Sequence, residues 1–283
     1  MTRSSASRVS MNLLEETKHL LRTNRIVPNK FLGQNFMVDD SVFELLNEYA
    51  SLNENDVVLD IGAGLGFLTR FLAGNCCRVV AVECDPQLAR ILQEQLVDLS
   101  NVKVIPRNIL KADVSGFNKA VSIPPYRISS KLMMWLFARR LDSAVMVLQR
   151  EFADRLVACV GRKNYGWLTV LTYFCSECDL LDEVLKASFY PRPKVGSVIA
   201  RLVFRKEPPF DVKEQDVFFN LVRTFFTQRN RKVRNAALSY LKITGSKSSS
   251  DSKIIAARLP FRDTRVRDLA PEDFGELTDA ITQ

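Results

Sequence analysis

The stretch Asp56–Phe67, DVVLDIGAGLGF, decides how the fold is read. Its first half is an apolar, β-branched run ending at Gly62, the pattern of a strand buried on both faces of a parallel sheet. Its second half is a G-x-G-x-G loop, distinct from the G-x-G-x-x-G of dinucleotide sites. Glycine in such a turn lets the backbone approach a ligand where a Cβ would collide. FLTRFLAG then reads as a helix stopped by Gly74.

The alternation continues outward. RVVAVECD reads as the next strand, and Pro86 opens a helix through QLARILQEQLVDL. VKVIP, NKAVSI and SAVMVL supply three more strands, with helices over SSKLMMWLFARR and EFADRLVACV. Strand and helix in turn predict a doubly wound α/β sheet whose ligand lies at the carboxyl ends of the strands. Near Lys206 the pattern stops, and KEPPFDV reads as a linker. Beyond it EQDVFFNLVRTFFTQ, RKVRNAALSYL and APEDFGELTDAIT predict helices, and TGSKSSSDSK a flexible loop. The expected organisation is a tail and helix over 1–24, an α/β domain over 25–205 and a small helical domain over 206–283. MTRSSASRVS reads as a short disordered tail, since it lacks the apolar region of a secretory signal.

Composition narrows the function. With 283 residues and 47% hydrophobic content the chain can build one large core and a smaller one. It has no run of about 18 apolar residues, so no membrane span is expected. The net charge of +8 suits a polyanion such as nucleic acid, although a basic protein need not bind one. Six cysteines scattered through apolar segments point to reduced thiols in a cytoplasmic protein. Cys175 and Cys178 have CxxC spacing without a second ligand pair, so they read as buried structural cysteines and no metal is expected. His19 is the only histidine, so any chemistry must run without a histidine base.

The loop has an acidic partner. Glu83 ends the second strand, where a carboxylate can accept hydrogen bonds from both hydroxyls of a ribose. Asp60 is placed to order Gly62 and Gly64, and a nearby helix N-terminus favours a ligand carboxylate. A ribose, a carboxylate and no phosphate fit S-adenosylmethionine; an NAD-type site or a structural turn are the alternatives. Asn108 follows the third strand where methyltransferases often carry Asp, and its amide oxygen can still accept from an adenine amino group.

NKFLGQNFMVDD, VLDIGAGLGFLT, AVECDPQLA, PPYRISSKL, LQREFADRLVA, NYGWLTV, FYPRPKVGSV and RNRKVRNAAL occur in this order. Together they resemble the KsgA-type small-subunit rRNA adenine dimethyltransferases, especially the archaeal branch, from about Leu13 to Leu277. The resemblance implies a Rossmann-like S-adenosylmethionine-dependent fold with a small C-terminal helical domain. It implies dimethylation of N6 on two adjacent adenosines in the 3′-terminal hairpin of small-subunit rRNA, during ribosome biogenesis and without a metal. Carried over by position, Gln34, Asn35 and the Met37 backbone hold the methionine end of the cofactor. Gly62 and Gly64 line it, Glu83 binds the ribose and Asn108 meets the adenine ring. Tyr126 and Phe189 sandwich the target base, with Pro125 setting the ring. Arg192, Lys194, Arg229, Arg231, Lys232 and Arg234 are the candidate RNA-phosphate contacts, although charge runs are more often solvated faces. A monomer is expected.

One position departs from the family. An Asn that accepts from the target amine falls, without a gap, on Ile123, which has no acceptor. The Pro124 carbonyl remains, since proline removes only a donor, and Ser122 stands one residue earlier. The rival reading is therefore an assembly factor that binds rRNA with the same fold and little or no catalysis. A large-subunit adenine methyltransferase, a mitochondrial transcription-factor relative and a small-molecule methyltransferase fit the motifs and the basic helical domain less well.

Overall fold

The computed structural model describes residues 12–29, 31–139, 141–245 and 248–282. The tail expected over the first ten residues lies outside them. α1 (Leu13–Thr23) begins at Asn12, whose side chain accepts from Glu15 N at 3.0 Å. Then come β1 (Phe36–Met37), α2 (Ser41–Ala50), β2 (Val57–Ile61), α3 (Phe67–Ala73), β3 (Arg78–Val82), α4 (Pro86–Gln95) and β4 (Val102–Ile105). β5 (Lys119–Ser122), α5 (Ser129–Phe137), β6 (Ser143–Gln149), α6 (Arg150–Ala153), α7 (Trp167–Cys175), β7 (Ser176–Val184), β8 (Phe189–Tyr190) and β9 (Ser197–Phe204) continue the chain. α8 (Gln215–Phe226), α9 (Val233–Thr244), α10 (Ser249–Arg258) and α11 (Pro271–Thr282) close it. No described helix is long and apolar enough to cross a membrane.

The seven-stranded sheet has the order β4-β3-β2-β5-β6-β9-β7, and β4 through β6 pair in parallel. The chain winds outward from β2 to β4, then returns to β5 on the other side of β2. That reversal opens a crevice at the carboxyl ends of β2 and β5. The glycine loop leaves β2 and the Ile123–Tyr126 stretch leaves β5, so both motifs meet there. Apolar residues pack on both faces of the parallel strands: Val58, Val79, Val121 and Val145 join Phe43 and Leu46 of α2, Ala81 on the same face packs on Leu92 and Leu96, and Leu59, Val80, Ala120 and Met146 are buried on the other.

The chain separates into two compact units. The first takes the described residues up to Trp135, with Ser143–Arg150 and Leu181–Arg201. The second takes Leu136–Asp142, Glu151–Leu180 and the described residues from Leu202 onward. An aromatic cluster organises the second: Phe174 packs on Phe210, Phe218 and Phe219, with centroids 4.8–6.2 Å apart. Tyr165 is buried and donates to Leu269 O at 2.8 Å.

Three local expectations are corrected. EFADRLVACV is helical only as far as Ala153; Arg155 N and Leu156 N then turn back to Phe152 O and Ala153 O, and Val157 and Val160 are exposed. The serine-rich stretch read as a flexible loop contains the start of α10: Ser248 Oγ accepts from Asp251 N at 3.2 Å and caps it. Serine disfavours helix interiors but is among the best N-caps. Cys175 and Cys178 are half-buried rather than fully so, and burial pushes both thiols up to about 12.

Candidate active site

An open cleft lies at the carboxyl ends of β2, β3 and β5. The segment 32–37 closes one side, the glycine loop and Glu83 another, and Ile123–Tyr126 with Phe189 the third. The loop is held down by Gly62 N and Ala63 N, which donate to Val82 O at 2.8 and 3.2 Å. Gly62 has φ +77°, and a Cβ built there would stand 2.7 Å from Pro125 Cδ. Only glycine satisfies both the left-handed backbone and the close approach of the β5 loop.

Asp60 is 1% exposed and accepts from Thr69 Oγ1 at 2.6 Å. Burial, with a smaller contribution from the charge of Glu83, pushes its carboxyl up to about 7. Glu83 is 6% exposed. Its Oε2 accepts from Gly64 N and its Oε1 from Asp85 N, both at 2.9 Å. One carboxylate thereby joins the loops after β2 and β3, and each oxygen keeps a further lone pair for a ligand hydroxyl. Burial holds this carboxyl above the ordinary range.

The opposite wall is built from distant segments. Gln34 Nε2 donates to Asp85 Oδ2 at 2.7 Å, and its Oε1 accepts from Asn29 N at 2.7 Å. Asn35 Nδ2 donates to Gly33 O at 3.1 Å. β1 pairs antiparallel with β8, which sets Met37 opposite Phe189, and Ser188 Oγ donates to Asp39 Oδ2 at 2.7 Å. Tyr126 shares a 2.5 Å hydrogen bond with Ser197 Oγ. Pro125 O accepts from Ile128 N at 3.1 Å, opening the helical turn after Tyr126.

Ile123 lines the cleft and packs on the apolar cluster that contains Met37, Phe43 and Phe189. Ser122 does not share this wall. Its neighbours Val121 and Ile123 both pack on that cluster, and strand alternation turns Ser122 to the other face. It is 0% exposed, its hydroxyl finds no hydrogen-bond partner, and it does not line the cleft. A substitute amine acceptor at Ser122 is therefore not what this backbone offers.

Twelve of the thirteen candidate cofactor and target residues, from Gln34 to Phe189, line this one cleft. Asn108 is the exception: it is exposed, and its Oδ1 accepts from Leu110 N at 3.0 Å. The sequence reading missed Thr69, Asp85 and Ser197. Asp85 had a local signal, since Asp before Pro is a good N-cap and its Oδ1 does accept from Gln87 N at 2.9 Å. Ser197 had none, being 71 residues from Tyr126. Cys84 also lines the cleft and is exposed; partial desolvation, with the charge of Glu83, pushes its thiol up to about 11, so it stays protonated.

The candidate RNA contacts divide between the units. Arg192 and Lys194 are exposed in the first. In the second, Arg229 donates to Lys163 O at 2.8 Å and Arg162 O at 3.0 Å, so it also fixes a turn. Arg231 donates to Gln228 Oε1 at 3.0 Å, and Lys232 and Arg234 share Asp263. Arg231, Lys232 and Arg234 remain exposed.

The chain matches the ribosomal RNA adenine dimethylase family over residues 27–276. It is 38% identical to a probable ribosomal RNA small subunit methyltransferase A of Methanopyrus kandleri, over 81% of this chain and 82% of that protein. It is 35% identical to the ribosomal RNA small subunit methyltransferase A of Clostridium botulinum, over 94% and 98%. Among solved structures, a dimethyladenosine transferase from Plasmodium falciparum superposes with a TM-score of 0.72 at 23% identity, over 86% of this chain and 95% of that one. The 23S rRNA methyltransferase ErmE superposes with a TM-score of 0.63 at 28% identity, over 88% and 100%. With the glycine loop, Glu83, Tyr126 and Phe189 gathered in one cleft, the protein belongs to the ribosomal RNA adenine dimethylase family.

Proposed function

We propose that this S-adenosylmethionine-dependent enzyme dimethylates N6 of two adjacent adenosines in the 3′-terminal hairpin of small-subunit rRNA, working as a cytoplasmic monomer during ribosome biogenesis. The observation that carries the reading is that Tyr126, half-buried, and Phe189, 2% exposed, line the same cleft as the Gly62 loop and Glu83. A base held by the rings then lies beside a donor held by the loop.

The cofactor fits the residues present. Gly62 has no room for a side chain beside Pro125, both Gly62 and Gly64 hold left-handed backbone that lines the cleft, and Glu83 offers a buried carboxylate to the ribose hydroxyls. Asp60 supplies negative charge for the cofactor's cationic end. Bound there, S-adenosylmethionine supplies a sulfonium-activated methyl group. Tyr126 holds the splayed base by stacking, and Phe189, buried in the apolar cluster here, turns outward to complete the sandwich. The Pro124 carbonyl accepts from the target amine, and alignment of amine and methyl supplies much of the acceleration. Gln34 and Asn35 line the cofactor side, and Arg192, Lys194, Arg231, Lys232 and Arg234 meet RNA phosphates.

Ile123 sets the rate. A missing transition-state acceptor costs on the order of 100-fold. Ile123→Asn is therefore expected to raise single-turnover transfer by up to about 100-fold while leaving cofactor affinity unchanged. An equal or slower rate in that variant would show that the apolar wall is not the limit. The decisive assay is transfer from labelled S-adenosylmethionine to small subunits lacking the hairpin methyl groups. No transfer by the wild type, with salt-sensitive subunit binding intact, would favour the assembly-factor reading that Ile123 supports.

Asp60 makes cofactor binding depend on pH. Its carboxyl, pushed up to about 7 by burial, is half neutral at that pH in the free protein. A cationic ligand requires the carboxylate, so below that pH binding must expel a proton. Affinity is expected to fall by up to about tenfold per unit as the pH drops below 7. Calorimetry from about pH 5.5 to 8 should show this slope in the wild type and a flat, weaker profile in Asp60→Asn. A flat wild-type profile would remove Asp60 from the cofactor's surroundings.

A further inference from the structure

Phe31 is 71% exposed, an unusual place for a large apolar ring with a fixed neighbour. Arg127 Cζ lies 3.8 Å from the ring centroid, and Arg127 Nη1 donates to Phe31 O at 2.8 Å. The guanidinium is thus held twice, once by the ring and once by the backbone. A ring this exposed adds little to folding, yet its geometry is set by a charged partner that is itself exposed.

The pair stands at the mouth of the cleft. Phe31 is followed by Leu32 and Gly33, and Arg127 follows Tyr126; those three neighbours line the cleft. The two segments run side by side, since a Cβ on Gly33 would stand 3.6 Å from Pro125 Cβ and 4.0 Å from Tyr126 N. The Phe31–Arg127 contact continues that seam outward onto the rim. One face of the ring carries the guanidinium, and a ring this exposed keeps surface for another planar group. Aromatic rings and arginine planes are the surfaces on which unpaired RNA bases stack, and the free edge of a guanidinium suits a phosphate.

We infer that Phe31 and Arg127 form a second base-binding position, which takes the nucleotide flanking the target adenosine. Its base stacks on Phe31 and its phosphate meets Arg127. This rests on the reading of Tyr126 and Phe189 as the target-base site. The occupant is RNA rather than an apolar partner, because the platform is continuous with that site and carries positive charge on a chain of net charge +8.

The test uses the full chain with S-adenosylhomocysteine and an RNA hairpin whose loop holds two adjacent adenosines. 2-Aminopurine replaces first the target and then its neighbour. The flanking probe should change in fluorescence on binding the wild type. Phe31→Ala should abolish that change and weaken binding roughly tenfold, whereas Phe31→Trp should keep both. Arg127→Gln should lower the slope of log affinity against log salt by about one. A flanking signal and an affinity unaltered in Phe31→Ala would overturn the inference. If the target probe responds and depends on Tyr126 while the flanking probe stays silent, this platform alone is wrong. If neither probe responds in the wild type, the target-base reading fails and the platform falls with it.

Discussion

Replacing Glu83 with alanine is expected to weaken S-adenosylmethionine binding by at least about 100-fold and to bring methyl transfer close to zero. Two effects add. The ligand loses a charged acceptor for two hydroxyls, and hydrogen bonds to charged groups contribute about 1.5–3 kcal/mol each. The protein also loses the strut between its loops, because Gly64 N and Asp85 N both donate to this carboxylate at 2.9 Å. Glu83→Gln should fall between, since its amide keeps one acceptor oxygen and turns the other position into a donor facing a backbone N–H. Titration calorimetry with S-adenosylhomocysteine reads both variants, with a thermal melt as the folding control. Binding of Glu83→Ala within threefold of the wild type would refute the ribose assignment.

Tyr126→Ala is expected to lower kcat/KM by about 100-fold while leaving cofactor affinity unchanged. Stacking on an aromatic contributes about 1–3 kcal/mol per base, and a loosely held base also loses its alignment with the methyl group. Tyr126→Phe separates the ring from its hydroxyl. It keeps the stacking surface and loses only the 2.5 Å bond to Ser197 Oγ, so a few-fold loss is expected. Transfer to hairpin-unmethylated small subunits, measured beside cofactor binding, distinguishes the two. Wild-type transfer by Tyr126→Ala would exclude the ring from the reaction.

Much of the first unit was legible because its signals are local. Buried parallel strands read as apolar runs, and β2, β3 and β5 fall where those runs stand. The Gly62 loop, the acid closing the next strand and Pro86 at the head of α4 each follow from residues within a few positions of one another. What escaped was of two kinds: β9, SVIARLVF, is a buried apolar run beyond the five strands expected, and the rest had a mixed local pattern. β7, with sequence SECDLLDEV, carries acids on an exposed face, and the serines before α10 resemble a loop until Ser248 is seen to cap it.

The sequence by itself determined the layered α/β architecture, the glycine loop with Glu83 at the end of the next strand, and the absence of a side-chain acceptor at Ile123. It did so because backbone sterics, burial period and side-chain chemistry act over a few residues. The tertiary structure alone decided which distant groups meet: Ser197 with Tyr126, Gln34 with Asp85, and Met37 with Phe189 through the pairing of β1 and β8. It also decided that Glu151–Leu180 packs with the C-terminal helices, that Asn108 stands outside the cleft, and that Ser122 turns away from it. These depend on strand order and on which face each side chain takes, and one residue of register reverses the face.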